Sequence, residues 1–226
     1  MKKYAFIGVF ISTVIFAVQG DIEVYFSPKG GCPQAIIQTL QSAKKEVALA
    51  LYQLSDGRIV EEITNATKRG VKVYAAFDGS VLERFREVVG TLIKSGVVVK
   101  VEYGQGLLHD KYAIIDSTIV ITGSYNWTNQ ADNENYENLL IIKSKDLAKA
   151  FLENFAQIWA ISLPVPENFA VRGKGEYQYV ASKKGKVFHY IWCPSAQRIS
   201  EENRRYFKTR EEAIKAGYRP CRKCNP

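Results

Sequence analysis

Between residues 22 and 102 the chain repeats one alternation: a short apolar run, then a stretch whose apolar residues recur at helical spacing, three times over. Apolar runs at 22–27, 46–54, 71–77 and 97–102 read as strands. The segments 33–44, 58–69 and 81–95 between them read as helices, the first through Ile36, Ile37 and Leu40. Strands joined by helices predict an α/β fold with a mixed, largely parallel sheet covered by helices on both faces. The rhythm then changes. Runs at 111–116 and 119–125, separated only by Ser117-Thr118, predict a hairpin, and 139–143 a further strand. An amphipathic helix over 146–160, with Leu147, Phe151, Phe155 and Ile158 on one side, closes this domain.

The hairpin carries the chemistry. His109 and Lys111 stand two residues apart on its first arm, and Ser124 and Asn126 two apart on the second. Alternate residues of a strand share a face, so an imidazole, an ammonium and two neutral donors converge on one pocket. Such a set suits a phosphate: the imidazole attacks phosphorus while the cation and donors stabilise the equatorial oxygens. A Ser/His/Asp triad is disfavoured, because no Gly-x-Ser-x-Gly elbow is present.

The pattern His109-x-Lys111-(x)4-Asp116-(x)6-Gly123-Ser124-x-Asn126 resembles the HKD signature of the phospholipase D superfamily. The resemblance extends from Tyr25-Phe26-Ser27-Pro28, through Lys68-Arg69-Gly70-Val71-Lys72-Val73 and Asp78, to Glu137-Asn138, and is nearest to the short bacterial endonucleases with one motif. It implies a phosphohistidine intermediate with no metal required for catalysis. His109 is then nucleophile or acid, Lys111, Ser124 and Asn126 bind the phosphate, and Glu137 orients the imidazole. Asp116 belongs to the motif, but its role reads as structural rather than chemical. A second motif histidine is also implied, yet the chain holds only two histidines, and His189 lies among cysteines. The second must come from another copy, in a homodimer with one composite site on the two-fold axis.

The Pro-rich stretch around residue 164 divides the charge. Residues 1–165 carry 17 Lys+Arg against 17 Asp+Glu, whereas residues 166–226 carry 14 against 6, so the entire +8 lies in the tail. This favours a polyanionic partner, nucleic acid first (DNA or RNA) and anionic phospholipid as the alternative. The same tail holds His189-x-x-x-Cys193 and, after 27 intervening residues, Cys221-x-x-Cys224. Two ligand pairs at turn spacing indicate structural zinc, with a Cys221–Cys224 disulfide as the alternative in an oxidising compartment. Cys32 stands alone and reads as a buried thiol.

Val187-Phe188-His189, Cys193, Thr209-Arg210-Glu211-Glu212-Ala213 and Ala216-Gly217-Tyr218-Arg219-Pro220-Cys221-Arg222-Lys223-Cys224 resemble the Ada-type metal-binding domain. In that type all four ligands are cysteines and the first accepts a methyl group. His189 occupies the position here, so methyl transfer is not implied, but zinc-stabilised DNA contact is. Arg198, Arg204, Arg205, Lys208 and Arg210 become candidate phosphate contacts.

The N-terminus begins Met1-Lys2-Lys3-Tyr4 and continues without charge from Ala5 to Val18, ending at Gln19-Gly20. That is a signal-peptide pattern too short to span a bilayer, so the protein is expected to be exported, periplasmic or secreted. The expected organisation is therefore a signal over 1–20, a phospholipase D-like nuclease domain over 21–163, a linker over 164–174 and a small zinc-binding α+β domain over 175–226. The expected function is an exported, metal-independent, non-specific endonuclease. A phospholipase D-type lipid hydrolase and a non-catalytic nucleic-acid-binding module are the alternatives.

Overall fold

A computed structural model describes residues 21–82, 84–104, 106–165, 179–191, 193–222, 224 and 226. The expected signal and most of the expected linker lie outside them.

The first unit is an eight-stranded sheet in the order β1-β7-β6-β5-β2-β3-β4-β8. Its elements run β1 (Asp21–Ser27), α1 (Cys32–Gln41), β2 (Glu46–Leu51), α2 (Gly57–Lys68), β3 (Lys72–Asp78), α3 (Arg86–Lys94), β4 (Val98–Glu102), β5 (Lys111–Ile115), β6 (Ile119–Gly123), α4 (Asn129–Asn133), β7 (Glu137–Lys143), α5 (Lys145–Ile161) and β8 (Leu163–Pro164). On one face Ile36 and Leu40 of α1, Ile59 and Ile63 of α2 and Val89 and Leu92 of α3 pack against Leu49, Leu51, Val73, Phe77 and Val99, all buried. On the other, Ala148 and Phe155 of α5 cover Ala48, Ala76, Tyr112, Ile114 and Val120. Side-chain caps set the ends: Asp56 accepts from Arg58 N at the start of α2, and Ser144 from Leu147 N at the start of α5.

The sheet is mixed, as expected, but it is not largely parallel. Only the β2–β3 and β3–β4 pairings are parallel, and the other five are antiparallel. The helix-linked strands β1 to β4 do share one direction, as crossover connections through helices give. However, β5, β6 and β7 follow one another through connections without long helices, each reverses direction, and the three insert between β1 and β2. The first strand thus finds its partner at the far edge, with Asp21 opposite Lys143 and Ser27 opposite Glu137.

Residues 163–165 remain part of this sheet. Leu163 and Pro164 pair with Val101 and Lys100, and Val165 N donates to Val99 O at 3.2 Å. Pro164 is tolerated because an edge strand leaves one side unpaired.

The second unit is a four-stranded sheet, β11-β9-β10-β12, from β9 (Tyr179–Ser182), β10 (Val187–Tyr190), β11 (Arg204–Phe207) and β12 (Arg219–Pro220). Between them lie α6 (Pro194–Gln197) and α7 (Arg210–Lys215), the latter capped by Thr209. Its buried Tyr179, Val180, Phe188 and Phe207 are continuous with the core of the first unit, and Tyr103, just past β4, packs against that joint core. Among the described residues no helix is long and apolar enough to cross a membrane.

Candidate active site

Strand direction gathers the motif at one sheet edge, where β1, β2, β3, β4 and β6 end and β5 and β7 begin. Leu108 N donates to Asp78 Oδ2 at 2.7 Å, and Tyr52 N donates to Asp110 O at 2.8 Å. His109 is therefore held between two anchored neighbours, although its own side chain is exposed.

The imidazole rests against Tyr52, with ring centroids 4.5 Å apart at 54°. Lys111 Nζ lies 3.1 Å from His109 Nδ1, donates to His109 O at 2.5 Å, and sits 5.3 Å from the Tyr52 ring centroid. Lys111 is only 8% exposed. Burial pulls its ammonium below the ordinary lysine value, partly offset by the charges of Asp110 and Glu137. Asp110 shows the converse: burial raises its carboxyl, opposed by Lys111 and His109.

Ser124 and Asn126 lie on the segment after β6, which crosses to the end of β2 through hydrogen bonds from Ser55 N and Asp56 N to Trp127 O. The strand stops at Gly123, two residues short of the expected end, but the alternation persists: Tyr125 and Trp127 are fully buried while Ser124 is exposed. Ser124 Oγ accepts from Asn138 N at 3.1 Å. Asn126 Oδ1 is buried and has no partner among the described residues, an orphan acceptor at the rim of the site. Neither residue hydrogen-bonds His109 or Lys111.

Glu137 stands at the same edge, at the start of β7. Asn135 Nδ2 donates to its Oε1 at 3.2 Å, and its own N donates to Ser27 Oγ at 3.2 Å. Its charge reaches Lys111. The His109 ring, however, is contacted by Lys111 and Tyr52.

Asp116 is at the opposite end of β5 and leaves the catalytic set. Its carboxylate accepts from the backbone N–H groups of Lys44, Lys45 and Glu46 at 2.8, 2.8 and 2.9 Å. Burial alone would raise this carboxyl, but the three donors hold it below the ordinary value. The motif aspartate thus fastens the hairpin turn to the loop between α1 and β2.

Tyr52 and Leu108 escape pattern reading, and Asp78 stands in the resemblance without an assigned role. Tyr52 supplies the ring beneath His109, Asp78 fixes the backbone before it, and Leu108 is the residue so fixed. The available signal was position: Tyr52 and Asp78 close the parallel strands β2 and β3, whose carboxyl ends are where α/β sheets place their sites.

In the second unit His189, Cys193, Cys221 and Cys224 converge, each offering a ligand atom within 4.8 Å of the others, and all four are buried. No cysteine is disulfide-bonded in this structure, and the gathering of all four groups favours the cation over the disulfide alternative. His189 Nδ1 and Cys193 Sγ are 3.6 Å apart, which matches the separation of about 3.6 Å between nitrogen and sulfur around a tetrahedral zinc. Hydrogen bonds with Cys193 and Cys224 hold the Cys221 thiol far below its ordinary value, and bonds with Cys193 and Cys221 raise Cys224. Thiols that share protons this closely are the donor set a cation replaces. Cys32 is fully buried, as expected of a lone structural thiol.

The candidate phosphate contacts divide. Arg198, Arg205, Lys208 and Arg210 are exposed, Arg205 lying 5.3 Å from the Phe207 ring centroid and Arg210 Nε donating to Pro226 O. Arg204 is occupied: it pairs with Glu201 at 2.6 Å and donates to Ile199 O, and it is partly buried.

Residues 36–159 match the family described as cardiolipin synthase, PLD-like domain, and residues 174–226 match the metal-binding domain of Ada. The chain is 35% identical over 135 residues to phospholipase D of Rickettsia typhi, covering 60% of this chain and 66% of that one. It is 32% identical over 134 residues to the mitochondrial cardiolipin hydrolase of Mus musculus, covering 59% and 61%. It therefore spans just under two thirds of these relatives' lengths. Among solved structures, Nuc from Salmonella typhimurium, described as a phospholipase D family member, superposes with a TM-score of 0.62 at 28% identity over 65% of this chain and 98% of that one. NucT from Helicobacter pylori shares the fold at a TM-score of 0.56 and 20% identity, over 65% and 99%. The chain belongs to the phospholipase D superfamily, a superfamily of phosphodiesterases, and carries an Ada-type metal-binding domain behind its catalytic one.

Proposed function

We propose that this protein is a metal-independent endonuclease, exported by residues 1–20, that cleaves DNA or RNA through a phosphohistidine at a site shared by two copies of the chain. The observation that carries the substrate class is the placement of the whole +8 charge in the Ada-like unit, whose core is continuous with that of the catalytic domain. A structural zinc on His189, Cys193, Cys221 and Cys224 would hold that unit folded, since so small a core needs a staple.

The chemistry follows from the donors at the site. An ammonium can only donate, so His109 Nδ1 accepts from Lys111 and the ring proton resides on Nε2. The acid is the second copy's imidazolium, protonated on both nitrogens, which becomes neutral on giving up one proton and so can later take one back. A bound phosphate draws Lys111 away from Nδ1, the proton can then reside there, and Nε2 is freed to attack. The Nε2–P bond forms as the P–O bond to the leaving group breaks, and the second copy's imidazolium gives a proton to the departing oxygen. Water, deprotonated by that same imidazole, then releases the 5′- or 3′-phosphate and restores both rings. Lys111, Ser124 and Asn126 would neutralise the equatorial oxygens throughout. His189 is engaged with the cysteines, so each chain has one histidine to give and the site needs two. Exposed Ile22, Val24 and Phe26 along β1 offer apolar area beside this edge for the second copy.

The names of the Rickettsia and mitochondrial relatives favour a second reading, hydrolysis of a phospholipid at the same site. Both are tested by incubating the zinc-loaded protein, beginning at Asp21, with plasmid, single-stranded DNA, RNA and cardiolipin vesicles in EDTA. The nuclease reading expects nucleic-acid cleavage that persists in EDTA, falls per chain on dilution, and drops by about 10³-fold or more in His109→Ala. Hydrolysis of vesicles alone would transfer the site to lipid.

A further inference from the structure

A cleft of about 280 Å³ opens where the two units meet, lined by Asp78 and Ser80 after β3, Glu102, Tyr103, Gly104 and Gly106 after β4, and Arg222 from the turn between Cys221 and Cys224. Its floor is tied to the catalytic histidine. Asp78 spends one carboxylate oxygen on Leu108 N, directly before His109, and the other on the N–H and hydroxyl of Ser80. That carboxylate is 2% exposed and fully engaged, so it shapes the cleft without serving a ligand.

The two remaining charges are different. Among the described residues neither the Glu102 carboxylate nor the exposed Arg222 guanidinium makes a hydrogen bond or ion pair, although both face the same space. Two glycines stand in close approach to the cleft's side chains. A Cβ at Gly104 would meet Glu102 Oε1 at 2.5 Å, and one at Gly79 would run into the Tyr103 ring. Opposite charges held apart across a small cleft exclude a simple anion and a simple cation. They ask for a ligand that presents an anionic group at one end and N–H donors at the other.

A nucleotide meets that requirement. Guanidinium binds phosphate in a two-point fork, and a carboxylate accepts from the amino and imino edge of a base. We infer that the cleft is a nucleotide subsite of the catalytic site, in which Arg222 takes a phosphate neighbouring the scissile one and Glu102 reads its base. Guanine fits best, since N1–H and the N2 amino group form the paired donors that match a carboxylate. The metal-binding unit then contributes directly to where the chain is cut, and the strand must be unpaired there. The inference rests on the nuclease reading.

The test is cleavage of single-stranded oligonucleotides randomised around one cut site, by the zinc-loaded full chain and by Glu102→Gln and Arg222→Gln. Zinc content per chain reports whether the Cys221 turn has kept its fold. Wild type is expected to favour guanine over thymine about tenfold at one position flanking the cut. Glu102→Gln, in the catalytic domain and isosteric, should reduce that preference below about twofold. Arg222→Gln should raise KM about tenfold for every sequence, with kcat changed less than about threefold. An active wild type whose preference and KM are untouched by both substitutions overturns the subsite and leaves the nuclease reading standing. A wild type inert on every nucleic acid overturns both. Phosphatidylethanolamine hydrolysis that depends on Glu102 would assign the cleft to a zwitterionic headgroup instead and also overturn it.

Discussion

At the scale of single residues the meeting of His109 with Lys111 was legible because period-2 spacing on a strand is a geometric statement. His109 and Lys111 do meet, at 3.1 Å. The spacing could not reveal Tyr52, because a ring 57 residues upstream reaches His109 only through the pairing of β2 with β5. Nor could it show that Glu137 is engaged by Asn135. The buried position of Lys111 has a kinetic consequence. Burial favours the neutral amine, whereas phosphate binding needs the ammonium, so activity falls as pH rises through a depressed lysine value. The alkaline limb of kcat/KM, which reports the free enzyme, is expected below the ordinary lysine value of about 10.4. A limb at or above that value would show that Lys111 is not the titrating group.

At the scale of elements, helical and strand periodicities placed the elements of the first unit to within about five residues, except the short α4 and the edge strand β8, which carry too few residues to show a period. Periodicity could not give the sheet order, since the interleaving of β5, β6 and β7 between β1 and β2 depends on which edge each short connection reaches. The same ordering decides the fate of Asp116. It sits at the end of β5 remote from the site, and there binds three backbone donors of a loop otherwise without partners for them. Asp116→Ala should cost about 2–4 kcal/mol in urea unfolding at neutral pH. The sign of its pH dependence follows from a folded value below the unfolded one. The stabilisation is complete above the ordinary carboxylate value and disappears as pH falls through the depressed value. The difference between wild type and Asp116→Ala should therefore shrink only on strong acidification, and a difference growing there would contradict the assignment.

At the scale of the molecule, charge division and ligand spacing announced a second unit, and the convergence of its four ligands bears that out. What remained hidden was the cleft with Arg222, because no local pattern reports how two units pack. Metal removal should separate them. Stripping the cation with a strong chelator is expected to open 179–226 to protease while the β1–β8 sheet keeps its thermal transition, as cation binding and folding of so small a core are one event. Under the proposed nuclease reading the exposed Arg198, Arg205, Lys208 and Arg210 would offer about four phosphate contacts, so log K for single-stranded DNA should fall with log salt at a slope of about −3. Arg205→Glu with Lys208→Glu should flatten that slope, and an unchanged slope would place the nucleic acid elsewhere.

The pairing of Asp21 with Lys143 also sets a timetable. The first strand to emerge from the ribosome has no partner until a residue 122 positions later has followed it, counting 143 − 21. Helices and the inner strands can form meanwhile, but the outer wall of the sheet closes last, and contacts this distant in sequence make closure the slow step. For all that time the N-terminal strand remains an open chain, with an unpaired row of backbone donors and acceptors.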